Sequence, residues 1–323
     1  MEIQKLIGPR GLPGDDSWSS TPIWAFSPKA LKANKAHVYQ WDRYSITKID
    51  GSWILIMTMA ELGLGSFHEI TFIDLEEGSI SSIQSSKRFS RSLELGPSSS
   101  TSWQSSWFDD SMRLAFIKAD SRRRLLAGSP ALDLGNGIIG LDADIQITQD
   151  PSLQGLCTAQ ALKPESMQFC LQDHFMGMKA AGKLILGDRK MDLEQEGCLA
   201  SYEWTRGRWV GKKQWLSAQA SGLSGGHVVS ICLSSLIDNA LCIDGIIHKI
   251  GPVDMTVSRS QVEPWTFKDK EGRIELALSP SASSKAWTFG HFSGRAVADD
   301  GQVLEIEEMP GFAIDPRESK PDF

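Results

Sequence analysis

The stretch IGLDADIQI (139–147) puts Ile139, Leu141, Ala143, Ile145 and Ile147 on one face of an extended chain. Gly140, Asp142, Asp144 and Gln146 fall on the other. A period of two with one apolar face is a half-buried antiparallel strand. Working outward, similar runs occur at SWILIMTM (52–59), FHEITFID (67–74) and RLAFIKA (113–119). Others are HVVSICLSS (227–235), RIELALS (273–279) and VLEIEE (303–308). Asp50-Gly51, Asp244-Gly245 and Asp300-Gly301 lie between such runs, and Asp-Gly tolerates the positive φ angles of a tight hairpin turn. Helical periodicity is nearly absent; the best candidate, PKALKANKA (28–36), is short. Many short strands with frequent turns predict an all-β sandwich or barrel.

The serine-rich stretch 79–111 is interrupted by Phe89, Leu93, Leu95, Trp103, Trp107 and Phe108. It reads as polar strand faces joined by a long loop rather than as low-complexity disorder. The segment 149–166 has two prolines, no alternation and strand-like runs on both sides, so the expected domain boundary falls there. The expected domains are 1–160 and 161–323.

Composition excludes several classes. The chain has 323 residues, enough to bury roughly three quarters of its unfolded surface without a disulfide or metal. Net charge is −7, and the only basic run is Arg122-Arg123-Arg124, read as a solvated turn or strand end. That argues against a nucleic-acid partner. No run of 18 uncharged apolar residues predicts a spanning helix, and the first residues carry no apolar signal-peptide core. Five cysteines without a Cys-x-x-Cys pair read as reduced, buried thiols, and a cytoplasmic protein is expected. Trp and Phe number 11 and 13 against 3 Tyr, so indole surface is in excess over phenol.

Motifs for nucleotide, zinc-hydrolase and serine-hydrolase chemistry are missing. There is no glycine-rich phosphate loop, no Gly-x-Ser-x-Gly and no His-Glu-x-x-His. Asp173-His174 is a neighbouring acid–imidazole pair, but adjacent strand residues point to opposite faces. No cofactor and no metal are implied. The one dense constellation is SYEWTRGRWVGKKQW (201–215). As a strand, it puts Tyr202, Trp204 and Arg206 on one face and Glu203 and Thr205 on the other. An acid or Arg in an aromatic-lined cavity can act as general acid or polarise a carbonyl. The alternative is a structural Arg stacked on Trp with a surface Glu. Asp238 and Asn239 precede a hairpin and read either as site residues or as turn chemistry. His291, among apolar neighbours, reads as a core or pocket-wall residue.

The order of segments resembles the domain-of-unknown-function family numbered 2804. The resemblance is carried by GPRGLPGDDSWSSTPIW (8–24), KAHVYQWDRYSI (35–46), MAELGLGSF (59–67) and EWTRGRWVGKKQW (203–215). It continues through DNALCIDGIIHKI (238–250), VEPWTF (262–267), GRIELALSP (272–280), FGHFSGRAV (289–297) and PGF (310–312). Glu203 stands where that family usually has Asp, Asp238 where it has Glu, and Trp215-Leu216-Ser217 replaces a Trp-x-Trp.

That family is similar in outline to carotenoid hydratase-like and tocopherol cyclase-like proteins and to fungal intramolecular Diels–Alderases. The resemblance implies two consecutive lipocalin-like antiparallel β-domains with few helices. It implies a cofactor-independent lyase, cyclase, hydratase or isomerase acting on a hydrophobic small molecule such as a terpenoid or polyketide. Glu203, Arg206 and Asp238 are then the catalytic candidates. Trp41, Tyr202, Trp204, Trp209, Trp215, Asn239 and His291 are the substrate-binding candidates. A non-catalytic lipid or pigment carrier and a carbohydrate-active β-sandwich are the alternatives.

Overall fold

The computed structural model describes residues 4–5, 17–30, 37–88, 93–163, 168–211, 215–258, 263–284 and 286–318. The first part of the chain runs β1 (Gln4–Lys5), β2 (Ser17–Ser19), β3 (Trp24–Ala25), β4 (Val38–Lys48), β5 (Trp53–Leu62), β6 (Gly65–Asp74), β7 (Ser79–Arg88) and β8 (Trp103–Phe108). It continues with β9 (Arg113–Ala119), β10 (Arg122–Asp133), β11 (Ile139–Thr148), β12 (Leu156–Lys163), β13 (Gln168–Leu186), β14 (Arg189–Asp192) and β15 (Cys198–Arg208). The second part is β16 (Ser217–Ser224), β17 (His227–Ser234), β18 (Ala240–Ile243), β19 (Ile246–Lys249), β20 (Val253–Thr256), β21 (Trp265–Asp269), β22 (Ile274–Ser283), β23 (Trp287–Val297) and β24 (Val303–Ile314).

Apart from β1 and β3, which pair in parallel by themselves, these strands make two curled antiparallel sheets. The first has the order β7-β6-β5-β4-β15-β13-β11-β10-β9-β8, with β12 and β14 added on β13 and β2 on β12. The second has the order β19-β18-β17-β16-β24-β23-β22-β21-β20. The division between sheets falls in 209–216, while position 160/161 lies inside β12 in the first sheet. Residues 149–163 are not a bare linker: 156–163 pair with 168–174 as a hairpin. Of the candidate helix 28–36, Pro28–Ala30 is one 3-10 turn and 31–36 lie outside the described residues. So do residues 8–16 and 212–214 of the quoted segments.

The predicted alternation is realised in β11. Leu141, Ala143, Ile145 and Ile147 enter the core of the first sheet, while Asp142 and Asp144 meet Arg113 and Arg124 outside. All three Asp-Gly pairs are turns, between β4 and β5, β18 and β19, and β23 and β24. At Asp244-Gly245 both residues have positive φ, 47° and 86°, as a type I′ turn demands. The serine-rich stretch contributes β7 and β8; residues 93–102 before β8 lie outside any strand, and Phe89 lies outside the described residues.

Each sheet encloses its own core. Tyr44, Phe116, Phe175 and Trp204 fill the first, and Phe267, Phe292, Leu276 and Leu278 the second. Between the sheets lie three smaller clusters: Ile54, Ile56 and Ile73 against Phe289 and Phe312; Leu156 and Met176 against Cys232 and Cys242; and Trp41, Trp209 and Trp215 with Leu236. This double burial explains why β5 reads as an unbroken apolar run. In β13 the register shifts between Phe175 and Met178 around Gly177, whose φ is +68°. A Cβ there would lie 3.1 Å from Val228 and 3.2 Å from Ser230 of β17, so glycine admits the second sheet at this point.

Candidate functional site

The site is built on the middle of the first sheet, where β4 pairs with β15 and β15 with β13. The register sets Glu203 opposite Arg43 on one side and His174 on the other. Period two then sorts the side chains. Tyr202, Trp204 and Arg206 point into the first sheet's own core, and Glu203 and Thr205 point toward the second sheet, as the sequence predicts.

On the inner face, Arg206 and Asp42 form a fully buried ion pair, Nη2 to Oδ2 at 2.8 Å. Arg206 also donates to the carbonyls of Trp41 (2.7 Å), Thr205 (2.9 Å) and Gly96 (2.8 Å), and its guanidinium stacks 4.7 Å above Trp204. The Tyr202 hydroxyl donates to Asp42 at 2.5 Å. Burial raises the Asp42 pKa against the pull of Arg206 and Tyr202. Arg123 is not the solvated residue expected of an arginine run. Arg122 and Arg124 are exposed, but Arg123 turns inward over Tyr202 and Phe175, at 5.0 and 5.4 Å, because alternate residues of β10 face the core.

On the outer face, Glu203 Oε1 accepts from Trp41 Nε1 at 2.7 Å and from Thr205 Oγ1 at 3.1 Å. Its Oε2 pairs with Arg43 Nη1 at 3.0 Å. Arg43 in turn lies 4.9 Å above the Trp287 ring of the second sheet. Trp209 packs edge-on to Trp41 (6.0 Å) and Trp215 (5.2 Å), and Tyr39 stacks on Trp209 at 4.4 Å. Beside them, His174 Nδ1 meets Gln219 Nε2 of β16 at 3.3 Å, and His174 Nε2 lies 3.7 Å from Asp238 Oδ2. Burial opposes a charge on the His174 ring, but neighbouring Cys232 and Asp238 outweigh it and raise its pKa well above the usual value. Burial pushes the Cys232 thiol up.

The catalytic candidates are therefore divided by the thickness of one sheet. Glu203 and Asp238 belong to the face between the sheets; Arg206 belongs to the opposite face, with Tyr202 and Trp204. Trp41, Trp209 and Trp215 gather beside Glu203. Asn239 is turn chemistry: its Oδ1 accepts from Ser234 N at 2.6 Å and its Nδ2 donates to the Leu236 carbonyl at 2.9 Å. His291 contacts the Gly51 carbonyl (3.0 Å) and Ser281 (3.4 Å), tying the β4–β5 turn to the second sheet rather than joining the site. Sequence reading missed Arg43, Gln219 and Cys232, and weighed His174 only as the neighbour of Asp173. Arg43 had a signal, since it shares a face with Trp41. His174, Gln219 and Cys232 converge from separate strands, and no local spacing joins them.

Two open grooves of about 590 and 530 Å³ lie on the outside of β9–β11, the second lined by Arg122, Arg124, Gln146 and Thr148. Neither touches the Glu203 cluster, and neither brings together an acid and indoles.

Fold and site together define an all-β protein of two lipocalin-like sheets, with an acid–indole cluster at their junction. The chain belongs to the family described as Domain of unknown function (DUF2804), matched over residues 1–318. Among solved structures it is similar to an AttH-type protein from Nitrosomonas europaea, at 11% identity over 92% of this chain and 98% of that one, with a TM-score of 0.53. It is also similar to CghA, solved with Sch210972, at 10% identity over 88% and 90% of the two chains, with a TM-score of 0.55. Kievitone hydratase from Nectria haematococca is 11% identical over 90% and 95%, with a TM-score of 0.48. At these identities the likeness to the first two is one of fold. No curated protein matches the chain in sequence. No helix among the described residues is long and apolar enough to cross a membrane.

Proposed function

We propose that the chain is a lyase, cyclase, hydratase or isomerase that acts, without an organic cofactor, on a hydrophobic small molecule between its two sheets. The observation that carries this reading is Glu203, buried between the sheets beside Trp41, Trp209 and Trp215. Trp41, Thr205 and Arg43 each donate to its carboxylate. A carboxylate held this way accepts a proton or balances positive charge, so the general-acid role gives way to that of a base or electrostatic stabiliser. The indole faces support it, because they attract developing cationic charge on a polyene and favour a folded apolar chain. Arg206 holds the Trp41 and Thr205 carbonyls from behind and so positions the strands rather than touching substrate.

The test is turnover of candidate polyenes by the purified protein, followed by mass spectrometry. Glu203→Gln lowers turnover at least about 100-fold. If Glu203→Gln and Arg43→Gln both keep full activity, the site is elsewhere. The carrier reading draws on the same bonds, since every Glu203 partner named above is a protein group. Native mass spectrometry separates the two: a retained molecule released unchanged marks a carrier, and a transformed one marks an enzyme.

A further inference from the structure

Asp238 is almost inaccessible, yet neither of its carboxylate oxygens has a hydrogen-bond partner. An ionised carboxylate left so is costly unless a positive charge or donor meets it. Lys249 does not: its Nζ donates to the carbonyls of Asn239 (3.1 Å) and Ile250 (2.7 Å). His174 Nε2, at 3.7 Å, is within ion-pair range but beyond hydrogen-bond reach, so the two groups face each other with neither hydrogen-bonded. The Cys232 thiol completes the group. Imidazole nitrogen, thiol sulfur and carboxylate oxygen lie within 4.8 Å of one another, all buried. His174 comes from β13 of the first sheet, Cys232 from β17 of the second, and Asp238 from the turn that follows β17.

We propose that His174, Cys232 and Asp238 bind a divalent transition-metal ion, with zinc the best match, which ties the two sheets together. One nitrogen, one sulfur and one oxygen are a zinc donor set, softer than magnesium or calcium would take. Zinc holds such donors at about 2.0–2.3 Å, so tetrahedral donors sit roughly 3.3–3.8 Å apart. The pocket reaches that by drawing in about 1 Å at its widest separation. The ion meets the unpartnered Asp238 oxygens and His174 Nε2 in one step. Gln219, on His174 Nδ1, supplies the outer support: with its amide oxygen turned to the ring it accepts Nδ1–H and leaves the Nε2 lone pair for the metal. Cys232 Sγ now lies 3.5 Å from the Asp238 carbonyl. On binding, the Cys232 thiol and the His174 Nε2 position both give up their protons to solvent, and the sulfur ligates as thiolate. Three protein ligands leave the fourth position to water. This inference does not depend on the proposed catalytic role of Glu203.

The experiment is titration of chelator-stripped full-length protein with cobalt(II) near neutral pH. One equivalent binds, with the visible bands of a tetrahedral ion and a thiolate-to-cobalt band in the near ultraviolet, and zinc displaces it. Cys232→Ser loses the near-ultraviolet band. Asp238→Asn and His174→Gln weaken binding at least tenfold. Cys157→Ser, a buried thiol of the first sheet, changes nothing. If a site variant fails to fold, the wild-type spectrum decides, together with a rise in the wild-type melting temperature on adding zinc. No uptake at one equivalent, uptake without a thiolate band, or a band that survives Cys232→Ser overturns the proposal. Any of these leaves the turnover test of Glu203 untouched.

Discussion

The inside of the first sheet and the inside of the second are filled with different chemistry. The first encloses Asp42, Arg206, Arg123, Lys118 and Asp173, all nearly inaccessible, among aromatic rings. The second is filled by apolar side chains such as Phe267, Phe292, Leu276 and Ile231. A dry core needs volume and pattern alone, and tolerates rearrangement. A charged core needs each partner in place, because a lone buried charge is heavily penalised. The first sheet accepts that cost on the strand pair β4–β15, whose reverse side carries Trp41, Arg43 and Glu203. The ionic interior thus fixes the backbone from which the candidate site projects.

That contrast can be broken most sharply at Arg206. Arg206→Met strands Asp42 and should cost about 3–5 kcal/mol in urea unfolding. Adding Asp42→Leu should recover part of the loss, since two well-packed apolar groups replace the pair; no recovery would mean the carbonyl contacts of Arg206 matter more than its charge. In the second sheet, Phe292→Ala should cost about 3–5 kcal/mol by leaving a cavity. That loss should be the same at every pH at which the protein is folded.

The pH dependence of the first sheet is the next test. Burial raises the Asp173 pKa to about 6 from 3.8, and lowers that of His68, stacked on Trp107, to about 4 from 6.5. A carboxyl raised in the folded state holds its proton there longer than in the unfolded chain. It therefore loses stability as pH rises from about 4 to 6 and stays level above. An imidazole lowered in the folded state loses stability as pH falls from 6.5 toward 4. The two oppose each other in one window. Asp173→Asn should gain about 3 kcal/mol relative to wild type between pH 4 and pH 7. His68→Phe should gain a similar amount in the opposite direction. A wild-type profile unchanged by either substitution would count against an ionisable interior. The smallest effect belongs to the outer rim: Arg124→Ala breaks an exposed pair with Asp144 and should leave the melting temperature within experimental scatter.

Much of this was legible in advance, for physical reasons that also explain what was not. β11 has one wet face, so its alternation announces both strand and core. The Asp-Gly turns carry their own conformational demand. In β15 the two faces were separable by period two, but which face looks to the second sheet was not readable, because both are buried. Arg206 was thus grouped with Glu203 although the sheet stands between them. Arg123 shows the same limit, since a run of three like residues hides the inward turn of the middle one. The His174–Cys232–Asp238 group is assembled across two sheets, and no local spacing encodes it.

The pairing of β4 with β15 also dictates an order of events during synthesis. β4, β5, β6 and β7 can form a meander as soon as they leave the ribosome, but β4 then presents an unpaired edge. Its partner, residues 198–208, is made some 150 residues later. β16 likewise waits for β24. Both sheets are closed by their last strands, so contacts distant in sequence must form before either core is sealed. Slow, chaperone-dependent folding is the expected consequence, and a ribosome stalled before residue 198 should display a protease-sensitive first sheet.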